Sequence, residues 1–335
     1  MTRPQAMWPP GAVTGLGSLP GTDPVEAATL VFGELPDLPH LPELPARGPG
    51  ADLLGRAAAL LVDLPVELVP SGWRLTGHPG RDLRRAHDLL AWDLDALETA
   101  AAGWTGPLKV QVAGPWTLAA GLELPGGHTV LSDAGAVRDL AASLSEGVAA
   151  HLAAVTARVP GAVPVLQLDE PTLPAVLGAR IPTPSGYGTV RAPEAAVVEQ
   201  TLRDLLAVAD EGARVVHCCA ADVPLALLHA AGADAIALDT ALLETSAYDE
   251  LGAVVDAGVA LWLGVLPGTD ATVELAQLRG RVARLWSALG FAPAQLPASV
   301  VPTPACGLAG ASQAYVRRAL SLLRDLSKAM LDDAA

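Results

Sequence analysis

The chain has 335 residues, 51% of them hydrophobic and only 4% aromatic, so a large core has to be built mainly from Ala, Leu and Val. Twenty-one Lys and Arg stand against 36 Asp and Glu, a net charge of −15 with no basic stripe, which argues against a nucleic-acid partner or an anionic membrane surface, since both need clustered cations. No uninterrupted apolar run reaches the roughly 18 residues of a membrane span, and residues 1–21 lack the apolar centre of a leader, so the chain reads as a soluble cytoplasmic protein.

Short apolar runs recur along the chain, each followed by a longer Ala/Leu-rich stretch. The first candidate strand is 12–19 (AVTGLGSL) and the second is 66–70 (VELVP). Then come 108–114 (LKVQVAG), 163–169 (VPVLQLD), 214–219 (RVVHCC), 235–239 (AIALD), 260–266 (ALWLGVL) and 298–302 (ASVVP). Continuous apolar runs of this length, set between helical stretches such as 136–158, 193–210, 222–231, 271–289 and 312–331, mark strands buried on both faces of a parallel sheet. Eight of them, without a Gly-rich phosphate fingerprint, predict an α/β fold of the (β/α)8 TIM-barrel type, one catalytic domain over residues 1–335. The Pro-rich stretch 35–50 and the stretch 178–191 read as long loops, the second on the active face, where a barrel's strands all end.

The three cysteines are too few and too odd in number for a disulfide framework, and point to metal binding or catalysis. His217 and Cys219 lie two apart at the end of the fifth candidate strand. Both therefore face the same side, while Cys218 faces away into packing. Imidazole with thiolate is a zinc-type donor pair. Asp239 ends the next strand, and Cys306 follows the last one, so His217, Cys219, Asp239 and Cys306 form the candidate metal set, with Glu244 an alternative carboxylate. His40, His78, His87, His128, His151 and His229 have no metal spacing with one another and read as surface or helix residues. Glu34, Glu43 and Arg47 are candidate substrate contacts from the Pro-rich stretch.

These pieces, in this order, resemble the catalytic barrel of cobalamin-independent methionine synthase. The likeness runs through Gly15-Leu16-Gly17-Ser18-Leu19-Pro20, Ala113-Gly114-Pro115 and Gln167-Leu168-Asp169-Glu170-Pro171. It continues through His217 and Cys219, Asp239-Thr240, and Cys306-Gly307-Leu308. The resemblance implies a zinc-dependent S-methyltransferase in which the ion makes homocysteine, or a similar small thiol, a thiolate at neutral pH. It also implies that Asp169 binds the substrate's ammonium group and that Ser18 holds its carboxylate.

Four features depart from the family pattern. There is one barrel rather than two. The carboxylate in the metal set is Asp239 where the family has Glu. The position of the family's folate-stacking Trp is Gly121, with Trp116 directly after Pro115. The stretch 264–270 holds no His. The methyl donor therefore stays open between methyltetrahydrofolate and a methyl-corrinoid protein. Two other readings follow from the same residues: a uroporphyrinogen-decarboxylase-like enzyme, which would need arginines such as Arg74, Arg180 and Arg191 at the barrel mouth, and a barrel that binds zinc or a thiol without catalysis.

Overall fold

Six of the eight apolar runs form one curled parallel sheet. The computed structural model describes residues 7–210 and 212–334. Its strands are β1 (Val66–Val69), β2 (Gly72–Leu75), β3 (Gly106–Ala113), β4 (Leu122–Glu123), β5 (Ala162–Asp169), β6 (Ala213–Cys218), β7 (Ala235–Asp239), β8 (Ala260–Leu266) and β9 (Val300–Pro304). The helices are α1 (Pro24–Glu34), α2 (Leu53–Ala58), α3 (Arg81–Ala100), α4 (Pro115–Gly121), α5 (Ala134–Arg158) and α6 (Leu173–Leu177). They continue as α7 (Ala195–Leu206), α8 (Leu225–Ala230), α9 (Tyr248–Asp256), α10 (Leu275–Ala288), α11 (Leu296–Ser299) and α12 (Gln313–Ala334). Strand order in the main sheet is β3-β5-β6-β7-β8-β9, every neighbouring pair parallel.

The wall is completed by two extended segments that make single bridges instead of ladders. Residues 12–19 form the first stave and residues 38–44 the second. Ser18 bridges Glu43, and His40 bridges Lys109 of β3, both in parallel. The expected strand at 12–19 is thus present as an extended stave without a ladder of its own. The second stave lies inside the Pro-rich stretch that reads as a loop. Pro39, Pro42 and Pro45 have no N–H to give a ladder, which is why the stretch lacks a strand signature. The run at 66–70 instead pairs β1 antiparallel with β2, which pairs with β4 in a small sheet outside the barrel. A four-residue apolar run fits either place, and only its partners decide.

Two cores follow from the alternation of side chains along each strand. One face of β5 to β9 points into the barrel, where Val165, Val215, Ala237, Trp262 and Val301 pack with Leu16 of the first stave and Leu38 of the second. Trp8 closes the floor edge-on to Trp262, with ring centroids 5.2 Å apart. The opposite faces, including Leu108, Val110, Leu166, Val216 and Leu261, pack against the surrounding helices. Each such buried Leu or Val contributes about 1.5–3 kcal/mol relative to exposure. Among the described residues, α5 is the one helix long and apolar enough by composition to cross a membrane. Val137, Leu140, Leu144, Val148 and Val155 form its buried face.

Candidate metal and thiol site

The C-terminal ends of β5, β6 and β9 bring the site together. At the end of β6, His217 and Cys219 (one residue past the strand) share the inward side, while Cys218 is wholly buried in the opposite direction. One donor atom each from His217, Cys219 and Cys306 lies within 4.8 Å of the others. The two sulfurs are 3.3 Å apart, well beyond the ~2.05 Å of a disulfide, and both cysteines are free. The Cys219 and Cys306 thiols share a hydrogen bond. This bond holds the Cys306 thiol down at about 6, and it pushes Cys219 up, with burial adding to the rise.

Asp169 fixes the imidazole. Its Oδ1 lies 2.7 Å from His217 Nδ1 and accepts from Gln167 Nε2 at 2.8 Å. Nδ1 is thereby occupied, and Nε2 of His217 is buried without a partner. A buried polar atom left unmet costs about 1–3 kcal/mol. An orphaned imidazole nitrogen beside two soft sulfurs, with its other nitrogen held by a carboxylate, suits a zinc-type cation in both donor chemistry and orientation. Asp239 stands outside this group: it ends β7, and its Oδ1 accepts from Ala241 N at 2.8 Å. Glu244 is exposed on the following loop.

Glu170, next to Asp169, shows how the motif is built locally. It is fully buried, and its carboxylate accepts from Trp116 N at 3.0 Å, Thr117 N at 2.8 Å and Thr117 Oγ1 at 2.7 Å, the open N–H groups at the start of α4. Burial pushes its carboxyl up to about 7 against these bonds. A Cβ on residue 114 would collide with this carboxylate, so Gly114-Pro115 and Asp169-Glu170 form one unit. Its backbone N donates to His217 O at 2.8 Å, tying β5's end to β6's.

The first stave reaches the same rim. Ser18 is half-buried, and a Cβ on Gly307 would overlap its hydroxyl, so the Cys306-Gly307 turn rests directly on Ser18. Leu308 N donates to Ser18 O at 2.8 Å. Ser18, Asp169, His217, Cys219 and Cys306 therefore converge. Glu43 joins them as Ser18's bridge partner. Its carboxyl is raised by burial and pulled back by Arg56, whose Nε lies 3.5 Å away. Arg56 and Arg47 in turn share Asp93.

A polar network beneath the rim went unread in the sequence. Lys109 is fully buried in the barrel, donating to Gln111 Oε1 at 2.9 Å. Burial lowers its ammonium to about 7, against the pull of Asp169 and Glu43. Gln111 Nε2 donates to Leu41 O at 2.6 Å, and Gln167 Nε2 also donates to Leu16 O at 3.0 Å. The available signal was the pair Lys109 and Gln111 at alternate positions of an otherwise apolar strand. His40, read as a surface or helix residue, is 1% exposed, with its Nε2 packed against Gly15. Burial lowers its imidazole to about 3. Trp116 is also buried, and Gly121 faces Leu54, so neither offers a stacking surface. Of the arginines a decarboxylase would need, Arg74 is paired with Glu123 in the outlying sheet and Arg180 with Asp222.

Comparison with known proteins bears on the family and the fold. The family model for the cobalamin-independent synthase catalytic domain matches residues 12–329. Among solved structures, the chain is similar to a B12-independent methionine synthase from Shewanella sp. W3-18-1, solved in complex with selenomethionine. The TM-score is 0.51 at 14% identity, over 72% of this chain and 67% of that one. No curated protein matches the chain.

Proposed function

From the premise that this chain belongs to the cobalamin-independent synthase catalytic-domain family, and so is a methyltransferase, we propose that it methylates the sulfur of homocysteine or a close amino-acid thiol, using zinc held by His217, Cys219 and Cys306. The observation that carries this reading is the convergence of those three donors beside Asp169. When bound, zinc supplies Lewis acidity that lowers the pKa of a thiol, so that the nucleophilic thiolate is present at neutral pH.

The chain's own residues do the rest. Asp169 uses Oδ1 to orient His217 and has Oδ2 for the substrate's ammonium. Ser18, seated on the Cys306-Gly307 turn, offers its hydroxyl to the carboxylate. Amine and carboxylate so held leave the thiol side chain to reach toward the cysteines. Fixing the nucleophile for in-line attack on a methyl carbon is where most of the rate gain arises.

Asp239 is the proposed carboxylate ligand. Turning it inward would exchange its bond to Ala241 N, worth about 1 kcal/mol, for a metal bond. As Asp239 now stands, bonded to Ala241 N, the protein ligands would be His217, Cys219 and Cys306, and a thiol substrate could supply the further donor. For the donor, a methylated pterin is favoured over a methyl-corrinoid protein, because the matching family is described as cobalamin-independent.

The test is zinc content and thiol methylation for the wild type, Cys219→Ser and Cys306→Ser. About one zinc per chain is expected in the wild type. Each variant should lose the ion, and turnover should fall by about a thousandfold or more. Zinc retained in both variants would overturn the site, and a zinc-loaded wild type that ignores homocysteine would overturn the activity.

A further inference from the structure

Lys109 is one of only two lysines in the chain, yet it is wholly buried inside the barrel. A buried ammonium is a cost to the fold, and the zinc–thiol chemistry gives this one no task. Among the described residues it makes one hydrogen bond, to Gln111 Oε1 at 2.9 Å. The anions that act on it, Asp169 and Glu43, both belong to the thiol site.

The bond to Gln111 fixes more than one side chain. An ammonium can only donate, so the amide must turn its oxygen to Lys109 and its N–H groups the other way. There Nε2 donates to Leu41 O at 2.6 Å, and the amide also bonds the Glu43 carboxyl. Gly17 packs on the same amide so closely that a Cβ would lie 2.8 Å from Gln111 Cδ. That contact confines the amide, and Lys109 decides which of its ends faces which way. Glu43 is fixed in turn by its backbone on either side of Ser18: its N donates to Gly17 O at 3.1 Å, and Leu19 N donates to its O at 2.9 Å. Lys109, Gln111 and Glu43 thus form a chain that climbs from the barrel interior to the rim, ending beside Ser18.

The charged and titratable groups around this chain come from every element packed on it. Asp169 of β5 and Glu43 and His40 of the second stave face Lys109. Arg56 of α2, itself paired with Asp93 of α3, faces Glu43. His217 of β6 holds Asp169 from the far side. Burial pushes the Glu43 carboxyl up and Asp169 adds to the rise, while Arg56, Gln111 and Lys109 pull it down.

We propose that Lys109 is a positioning residue for the amino end of the thiol substrate: it sets the Gln111 amide as a donor to Glu43 and supplies the counter-charge that lets Glu43 and Asp169 face the same ammonium. The inference rests on the thiol-methylation reading and adds what selects the substrate class, an amino-acid thiol over a thiol without an amino group. With Lys109 replaced, the amide is free to exchange its ends. Its oxygen then meets the Glu43 carboxyl, which answers by taking up a proton, and the ammonium loses one of its two acceptors.

The experiment is calorimetric titration of the zinc-loaded full chain with L-homocysteine and with γ-mercaptobutyrate, which is homocysteine without its amino group, from mildly acidic to mildly alkaline pH. The desamino thiol reports the sulfur and carboxylate ends, so the ratio of the two affinities reads the amino end. Wild type should prefer homocysteine. Lys109→Met should fold, because it removes a buried charge. Lys109→Met and Glu43→Gln should each cut the preference by about fivefold or more at neutral pH and leave γ-mercaptobutyrate bound as in wild type. In Lys109→Met the loss of preference on the acid side should begin at higher pH, since more of Glu43 is protonated at any given pH. Glu43→Gln should lose that limb, and adding Lys109→Met to it should change nothing further. A preference and pH profile in Lys109→Met equal to those of the wild type would overturn the inference, as would a Lys109→Met effect that persists undiminished beside Glu43→Gln. A wild type that binds both thiols alike would also overturn it and leave the thiol-methylation reading standing. One that binds neither thiol would remove both.

Discussion

Through β3, β5, β6, β7, β8 and β9 the barrel wall is a continuous parallel ladder, whereas the first two staves, at 12–19 and 38–44, are joined by single bridges, Ser18 to Glu43 and His40 to Lys109 of β3. The two regions solve the same backbone problem differently. In the ladder, carbonyls and N–H groups satisfy one another. In the staves, buried side chains do part of that work, with Gln167 donating to Leu16 O and Gln111 to Leu41 O. The ladder carries the metal donors, which need fixed positions. The staves carry Ser18 and Glu43, set by glutamines and close glycine contacts. A polar barrel interior on one side is thus the counterpart of missing ladder bonds, since a buried backbone carbonyl must find a donor somewhere.

The sharpest contrast comes from removing a carboxylate on the ladder side. Glu170→Ala leaves Trp116 N, Thr117 N and Thr117 Oγ1 without their acceptor in a fully buried place. A loss of about 3–5 kcal/mol is expected, read as a fall in the urea midpoint with an unchanged slope. Glu170→Gln should lose less, because its amide oxygen still accepts. If Glu170→Ala costs under about 1 kcal/mol, Glu170 is not what anchors α4 to β5.

Lys109 marks the boundary between the two regions, and its effect has the opposite sign. Its folded ammonium sits at about 7, below its ordinary 10.5. Between those values the unfolded chain holds the proton and the folded chain does not. The cost of burying Lys109 is therefore complete below about pH 7 and vanishes above about 10.5. Lys109→Met should then stabilise the fold at pH 6 by about 2 kcal/mol, less than the full burial cost because Gln111 Oε1 loses its donor. The gain should shrink steadily toward pH 10. Stability curves of both proteins across that range would show it, and a gain constant with pH would sink the account.

The same division explains what could be read without a structure. The runs at 108–114, 163–169, 214–219, 235–239 and 260–266 each coincide with a strand, because a doubly buried strand writes itself as an apolar run. His217 and Cys219 were legible from the two-residue period, and Cys306 from its place after the last strand. The second stave was not, because prolines and side-chain bonds replace its ladder. The run at 66–70 shows the reverse error, an apolar strand that belongs to a small outer sheet. Lys109, Gln111 and His40 stayed hidden for a related reason. Gln111 and Leu41 are 70 residues apart, and no local pattern tells a buried amide from an exposed one.

The smallest effect, and the most specific to the staves, belongs to Gln111. Gln111→Leu keeps the volume and removes the bond to Leu41 O, the bond from Lys109 and the bond to the Glu43 carboxyl. The global cost should be about 1–3 kcal/mol, the penalty for buried groups left unmet. The local consequence is the more telling one. Leu41 N donates to Lys109 O and Lys109 N to Pro39 O, and these two bonds are what join the second stave to β3. If Gln111 holds that stave in place, hydrogen exchange at the Leu41 and Lys109 amides should speed up in the variant by more than the global loss accounts for. Amides in the β5–β6 ladder should follow the global loss alone. Equal acceleration in both places would mean that the stave and the ladder open as one unit, and that the single bridges are as firm as the ladder.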